Sequence, residues 1–400
     1  MRLLVLTETY PPDRGGMSES CDRILRGLAR EGLVLDHLSL DVVHFDRRAS
    51  RFERRITSAG SLLRVPPEAD ASHVLNLLWN ELERDGDLQA ITHVVAFGGH
   101  LPLLGGPVFA AWMNKPLVTL IRGNELDAGV FDPRRRGVLD DALRRSAAVC
   151  TVTTSHAEKI AALHEGITPH VIANGIDFDL WEATEADIAR AAKIAEVAAG
   201  KRILGLFGHL KNKKGLPFFV EALARSGVAE EFHLLLCGEV ESPGLLEAEG
   251  VSHTVFPVMD RYALIPIYLT TDLVVVPSHY DGFPNVLIEA MALARPLLAS
   301  TTGGMRDVLT DGGDAFLFAP GDVHACRDAI RRAARASGEE LRRMGNAAES
   351  VARARCDARV ESSRYLEVLR HTQEAADAKR DSRPDAGFGP RELSWRERRR

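Results

Sequence analysis

The 400-residue chain has no G-x-G-x-x-G, no G-x-x-x-x-G-K-[ST] and no C-x-x-C. The first two absences argue against a dinucleotide oxidoreductase and a P-loop nucleotidase, whose phosphate loops need glycines at those spacings. The five cysteines (Cys21, Cys150, Cys237, Cys326, Cys356) stand singly and odd in number. That suggests neither a disulfide framework nor a zinc site, so buried free thiols are expected. Positive charge is short as well: 50 Lys+Arg against 56 Asp+Glu gives a net charge of -6. Nucleic-acid binding through bulk charge is therefore not expected, although a local basic patch is compatible with that total. A long unbroken apolar run is also missing. The one uncharged run, from Leu88 to Asn114, holds Gly98, Gly99, Pro102, Gly105, Gly106 and Pro107. It predicts a strand, a loop and a helix rather than a membrane span. At the N-terminus, MRLLVLTETYPP has too short an apolar stretch for a signal peptide, so a cytoplasmic location is expected.

What is present is a large core: 45% hydrophobic and 26% charged residues over a length that suits two or three domains. Apolar runs with β-branched content alternate with helical patterns from the first residues, the sign of parallel α/β sheets. LLVLT, VLDHLSL, HVVAF, PLVTLI, AAVCTV and HVIA read as strands of a first half. Asp132 with Pro133 should open one of its helices, and Ser155 with Glu158 reads as a capping box for another. After the turn Asn174 to Asp177 the alternation restarts with RILGLF, FHLLLC, HTVFPV, DLVVVP, PLLAS and AFLFA. This divides the chain into residues 1–173 and 174–355. From about Ala376 the sequence is rich in Arg, Asp, Gly and Pro, and residues 376–400 read as a disordered tail.

Ligands of open α/β sheets sit beyond the carboxyl ends of the strands, so post-strand loops carry the functional information. DLVVVP ends in SHYDGFPN and a helix, which puts Asp281 at a strand end and Glu289 about one turn into the helix. Two carboxylates flanking a helix N-terminus suit a ligand that combines hydroxyls with phosphate, namely a nucleotide sugar. LFGHLKNKKGLPFF places Lys211, Lys213 and Lys214 before a helix. TYPPDRGG places Gly15 and Gly16 before another. His100 follows HVVAF and the pair Gly98–Gly99, and is the best lone histidine for an acceptor contact. Arg47, Arg48, Arg51, Arg54 and Arg55, with Phe52 and Ile56 between them, form a basic, partly amphipathic stretch. By default this is a solvated face; the sharper reading is a dock for a phosphorylated or lipid-linked acceptor or an anionic membrane surface.

DGFPNVLIE resembles the signature of retaining GT-B glycosyltransferases of family 4 (glycosyl transferases group 1), with Asp281 where Glu is usual. The resemblance implies a fold of two Rossmann-like α/β domains around a cleft: an N-terminal acceptor domain and a C-terminal nucleotide-sugar domain. A last helix, about residues 356–375, returns to the first. It further implies that Asp281 contacts donor sugar hydroxyls, that Gly282, Phe283, Pro284, Asn285 and Val286 reach sugar and diphosphate, and that Glu289 accepts from the ribose. Lys214 and Gly215 match the family's Lys-Gly, and Lys214 would clamp the diphosphate. Gly208 matches too, with His209 where Arg is usual. A histidine is mostly neutral near pH 7, so part of the fixed charge is missing, and Lys211 or Lys213 would compensate. Gly15 and Gly16 resemble the N-terminal Gly-Gly loop. IRGNELD resembles the His-Gly-x-acid loop, with Arg122 at the His position, facing a phosphate, and Glu125 at the acid. STTGGMRDV resembles the loop near the donor sugar, through Gly303 and Gly304, with Asp307 where Glu is usual.

The expected activity is therefore transfer of a sugar from a nucleoside diphosphate sugar to an unidentified acceptor hydroxyl with retention, needing neither metal nor other cofactor. Lys214, Asp281 and Arg122 are the catalytic candidates. Two other readings are weighed: a GT-B relative that isomerises or phosphorolyses a sugar nucleotide, and a non-catalytic nucleotide- or glycan-binding module.

Overall fold

The computed structural model describes residues 1–34, 38–85, 87–241 and 244–381, arranged as two α/β units. The first sheet contains β1 (Arg2–Thr7), β2 (Ser39–Phe45), β3 (Glu53–Thr57), β4 (Gly60–Val65), β5 (His93–Phe97), β6 (Leu117–Ile121), β7 (Ala148–Thr151) and β8 (His170–Val171), in the order β3-β4-β2-β1-β5-β6-β7-β8. The second contains β9 (Arg202–Leu210), β10 (Phe232–Val240), β11 (His253–Phe256), β12 (Leu273–Val276), β13 (Leu297–Ser300) and β14 (Ala315–Phe318), in the order β11-β10-β9-β12-β13-β14. Every pairing is parallel except the edge pair β3–β4. Helices cover both faces, so the central strands read as continuous apolar runs; β5, β6, β12 and β13 are buried along their whole length.

In each sheet the strand order reverses beside the first strand, between β1 and β5 and between β9 and β12. Those reversals open a crevice at the carboxyl ends, where a loop cannot cross over its neighbour. The loops that fill the two crevices follow β1, β5, β9 and β12. They hold Gly15–Gly16, Gly98–His100, His209–Gly215 and Asp281–Pro284.

The last helix, Ala358–Asp381, runs from the second unit back across the first. Tyr365, Leu366, Val368 and Leu369 are buried in one cluster with Cys21, Ile24, Leu25 and Leu28 of the helix Gly16–Val34. Glu361 on the same face takes two bonds from Arg23, at 2.7 and 3.2 Å. The helix starts two residues later and ends six residues later than the expected 356–375. It takes residues 376–381 out of the expected tail; 382–400 lie outside the described residues.

Three other expectations change. Gly60–Val65 and the helix Ala71–Asp85, whose start Asp70 caps by accepting from Ser72 N at 2.8 Å, were not among the elements read from the sequence. The helix expected to be capped at Ser155 starts at Thr154, and Thr153 caps it by accepting from His156 N. The basic stretch Arg47–Arg55 is a turn and the exposed strand β3. Two of its arginines have acids beside them: Arg48 bonds Asp13 at 2.6 Å and Arg51 lies 3.8 Å from Glu53, while Arg64 of the neighbouring β4 holds Asp46 and Glu53 at 2.6 and 2.9 Å. Asp132 caps the helix Pro133–Arg145 as expected, and all five cysteines are buried free thiols. Among the described residues no helix is long and apolar enough to cross a membrane.

Candidate functional site

The lysine loop after β9 is fixed by a close backbone approach. Gly215 has φ +75°, and a Cβ there would fall 2.0 Å from the Pro277 carbonyl oxygen at the end of β12. His279 N donates to Lys213 O at 2.9 Å, which staples the two loops together. Lys214 therefore leaves the loop towards the β12 side, and its Nζ forms an ion pair with Asp281 Oδ2. Gly215→Ala should cost at least ~3 kcal/mol, because both the left-handed backbone and the clash must be relieved. A drop of several degrees in Tm, clearly larger than that of a Gly227→Ala control that also has positive φ but open space around it, checks this.

Asp281 is held from behind. A Cβ on Gly303 would fall 2.0 Å from Asp281 O, one on Gly304 would fall 2.3 Å from the Phe283 ring, and Gly304 N donates to Gly282 O at 2.7 Å. Gly303 and Gly304 thus shape the Asp281–Phe283 loop. Beyond Pro284 the helix Asn285–Ala292 begins, with no side-chain cap. Its N-terminus meets that of Gly16–Val34 across the cleft, where Asn285 Nδ2 donates to Gly16 O at 3.4 Å. Gly15 has open space around its Cα, and Gly208, with φ +92°, faces Val286. Two helix starts with unshared N–H groups therefore face each other beside Lys214, an arrangement that attracts a multiply charged anion.

Glu289 lies deeper in the same helix and accepts from the Tyr268 hydroxyl at 2.6 Å. Burial pushes its carboxyl up from 4.5 to about 7, helped by the charge of Glu19, against the bond from Tyr268. Tyr268 is itself buried and stacks on Phe207 with centroids 3.8 Å apart. The His209 ring has Glu239 at 3.5 Å and Glu241 at 3.6 Å from Nε2, so the residue at the arginine position sits among acids. Lys213 turns to the other domain and donates to Asn124 Oδ1 at 2.9 Å.

Arg122 is placed differently from the phosphate contact the resemblance implies. Its guanidinium is buried, donates to Tyr365 OH at 2.8 Å and to Asn174 Oδ1, and lies over the Phe97 ring at 5.2 Å. Asn174 in turn donates to Phe283 O at 2.6 Å. One arginine so ties the return helix, the interdomain turn and the Asp281–Phe283 loop together, and it has no fork left for a diphosphate. Its removal strands buried acceptors, Asn174 Oδ1 and the Tyr365 hydroxyl oxygen, so Arg122→Met should destabilise by ~1–3 kcal/mol. A double-mutant cycle with Tyr365→Phe should return a coupling of at least ~0.5 kcal/mol in chemical denaturation.

Glu125 is likewise occupied: it accepts from Gly99 N at 3.0 Å, Arg122 N at 3.2 Å and Gly123 N at 2.9 Å. Glu8, which the sequence did not single out, accepts from His100 N and Leu101 N at 2.9 and 2.7 Å and caps the helix His100–Met113 in place of Gly99. Around these two acids lies a cavity of about 250 Å³, lined by Glu8, His100, Asn124, Glu125 and Arg135 among others. His100 is exposed on its wall. The Lys213–Asn124 bond joins this cavity to the lysine loop.

Among the described residues one group of side chains has the geometry to hold a metal, Asp13, His44 and Asp46. Arg48 and Arg64 already pair with both carboxylates, and burial pushes the His44 imidazole down. Two guanidiniums against the acids leave little attraction for a cation there.

Lys214, Asp281, Gly208, Gly282, Phe283, Asn285, Val286, Glu289, Gly15 and Gly16 are thus gathered at one crevice, while Arg122, Glu125, Gly303 and Gly304 support it. Tyr268, Asn174, Tyr365 and Glu8 were missed: three lie in ordinary helix or turn sequence, and Glu8 is a single acid after a strand.

The fold is that of its structural neighbours, which are GT-B glycosyltransferases. Anabaena HepE in complex with UDP superposes with a TM-score of 0.74 at 17% identity, covering 93% of this chain and all of that one. Sucrose-phosphate synthase from Thermosynechococcus elongatus gives 0.77 at 18% identity over 94% of this chain and 99% of the other. Residues 201–336, which carry the lysine loop and the Asp281–Glu289 segment, match the family model of Glycosyl transferases group 1. A D-inositol 3-phosphate glycosyltransferase of Corynebacterium urealyticum is 25% identical over 55% of this chain, and the match spans just over half of that relative, 56%. An uncharacterised glycosyltransferase of Methanocaldococcus jannaschii is 26% identical over 77% of this chain and 83% of its own.

Proposed function

We propose that this chain transfers a hexosyl group from a nucleoside diphosphate sugar to an acceptor hydroxyl with retention of configuration and without a metal ion. The observation that carries the reading is the Lys214–Asp281 ion pair set beside two helix starts at the strand-order reversals, one of them, Asn285–Ala292, without a side-chain cap. Donor diphosphate would displace Asp281 as the partner of Lys214 and take the N–H groups near Gly16 and Asn285. The freed Asp281 carboxylate would then accept from sugar hydroxyls, and Glu289 from the ribose.

In the reaction the bond from the anomeric carbon to the diphosphate oxygen breaks and charge grows on that oxygen, where Lys214 and the helix N-termini stabilise it. The acceptor hydroxyl attacks on the same face and passes its proton to the departing diphosphate. No carboxylate is needed as a covalent nucleophile. Acceptor binds in the cavity beside His100, so His100→Ala should raise the acceptor KM several-fold and leave donor Kd unchanged.

The structural neighbour HepE is seen in complex with UDP and with UDP-glucose, which makes a uridine donor the first to test. Thermal shift against UDP-, GDP-, ADP- and dTDP-sugars should give one base that raises Tm by linkage. NMR of the product formed from that donor and an acceptor panel should then show the donor's anomeric configuration. An inverted product, or donor conversion without acceptor, would replace this reading with an inverting transferase or with a sugar-nucleotide isomerase or phosphorylase.

A further inference from the structure

A cavity of about 620 Å³ lies away from the crevice. Its floor is Pro116 and Ala147, at the amino ends of β6 and β7, so it lies on the opposite edge of the first sheet from the proposed transfer site. One wall is the helix His100–Met113 and the other is the last two turns of the return helix. The lining carries Lys115, His170, His371, Lys379 and Arg380 and no carboxylate, in a chain whose overall charge is -6. Lys115 reaches Gln89 O at 2.9 Å, while burial first and the Arg380 charge second push its ammonium down. Cations are thus held near one another against their repulsion; the acid that offsets them, Asp377, is itself bound by Gln373 Nε2 at 3.0 Å. The other end of that amide, Gln373 Oε1, is buried and accepts nothing. The rest of the lining includes alanines of both helices, which leave room for a small body.

We infer that this cavity is a second ligand site, which takes a phosphate monoester on a hydroxylated body. The phosphate lies between Lys115 and Arg380, a point charge and a planar fork that suit a dianion with three acceptor oxygens. A hydroxyl of the body donates to Gln373 Oε1, the buried side-chain acceptor of the lining left without a donor. The volume is within the range of pockets for small metabolites. The site shares no lining residue with the transfer site, so it stands or falls apart from the proposed reaction. A soluble sugar phosphate and a phosphomonoester lipid headgroup offer the same chemistry, and the experiment separates them.

The full chain is titrated calorimetrically with glucose 6-phosphate, glucose and inorganic phosphate, and co-sedimented with vesicles of phosphatidic acid in phosphatidylcholine. The variant is K115Q/R380Q, with Arg380→Glu alone as a second variant because Arg380 is exposed and its replacement leaves the core untouched. Saturable binding of glucose 6-phosphate, at least tenfold tighter than glucose or inorganic phosphate and at least tenfold weaker in both variants, with UDP binding unchanged, is the expected result. Vesicle binding that is lost in both variants would assign the same site to the headgroup source. Absence of both kinds of binding, equal binding of inorganic phosphate, or binding that both variants retain would overturn the inference.

Discussion

Lys214→Ala is expected to lower kcat by about 10²–10³-fold, the usual loss when one preorganised donor to a developing anion is removed. The reason lies in the geometry of its loop. Gly215 and the His279–Lys213 bond fix where the lysine leaves the backbone, so neither Lys211 nor Lys213 can replace it, and Lys213 is already engaged with Asn124. The fold should be indifferent to the change. The Lys214–Asp281 pair is partly open to solvent, and such pairs contribute about 0–1 kcal/mol. Donor affinity should fall with kcat, since the diphosphate is charged in the ground state as well, and Lys214→Arg should recover part of both. Steady-state kinetics with the preferred donor, alongside a melting curve within a few degrees of wild type, checks the claim. Turnover within fivefold of wild type would remove Lys214 from the machinery.

A second large effect is expected at Glu289, where function and stability pull apart. Its carboxyl is raised from 4.5 to about 7, chiefly by burial. The folded protein therefore holds this proton more tightly than the unfolded chain does. Stability from this group is full below about pH 4.5, falls as pH rises towards about 7, and is flat above that, where an ionised carboxylate stays buried. The size is on the order of 3 kcal/mol at alkaline pH. Glu289→Gln removes the buried charge and keeps a partner for the Tyr268 hydroxyl, so the variant should melt above wild type at pH 8 and close to it at pH 4.5. Donor binding should move the other way. If the ionised carboxylate accepts from the ribose hydroxyls, the nucleotide Kd of wild type should rise by about tenfold between pH 8 and pH 6, following the loss of the charge. The variant should bind weakly with a flat profile. Calorimetric titration with the nucleotide at both pH values tests both slopes, and a flat wild-type profile would remove the ribose contact.

Much of this was legible in the chain. Parallel strands buried on both faces must be continuously apolar, so LLVLT, HVVAF, DLVVVP and PLLAS announce themselves, whereas the half-exposed β4 and the polar edge strand β3 do not. The post-strand loops were legible too, because Gly15–Gly16, Lys214–Gly215 and Asp281–Glu289 keep local spacings that a helix start or a tight turn requires. Arg122, Glu125, Gly303 and Gly304 could not be sorted in the same way. In sequence each stands in a strand-end loop like the residues that face the crevice.

The lack of excess positive charge, of paired cysteines and of glycine-rich phosphate signatures, with the alternating apolar runs, settled what kind of chain this is: two α/β halves whose chemistry lies in short polar loops. Only the tertiary structure decided which loop residues face the cleft and which brace it. Strand order is a long-range property, and the reversals at β1–β5 and β9–β12 determine which loop ends converge. Once they converge, backbone donors from one loop and carboxylates from another satisfy each other. Glu125 and Arg122 are consumed in this way by partners up to 243 residues distant, and Lys214 and Glu289 are left at the crevice.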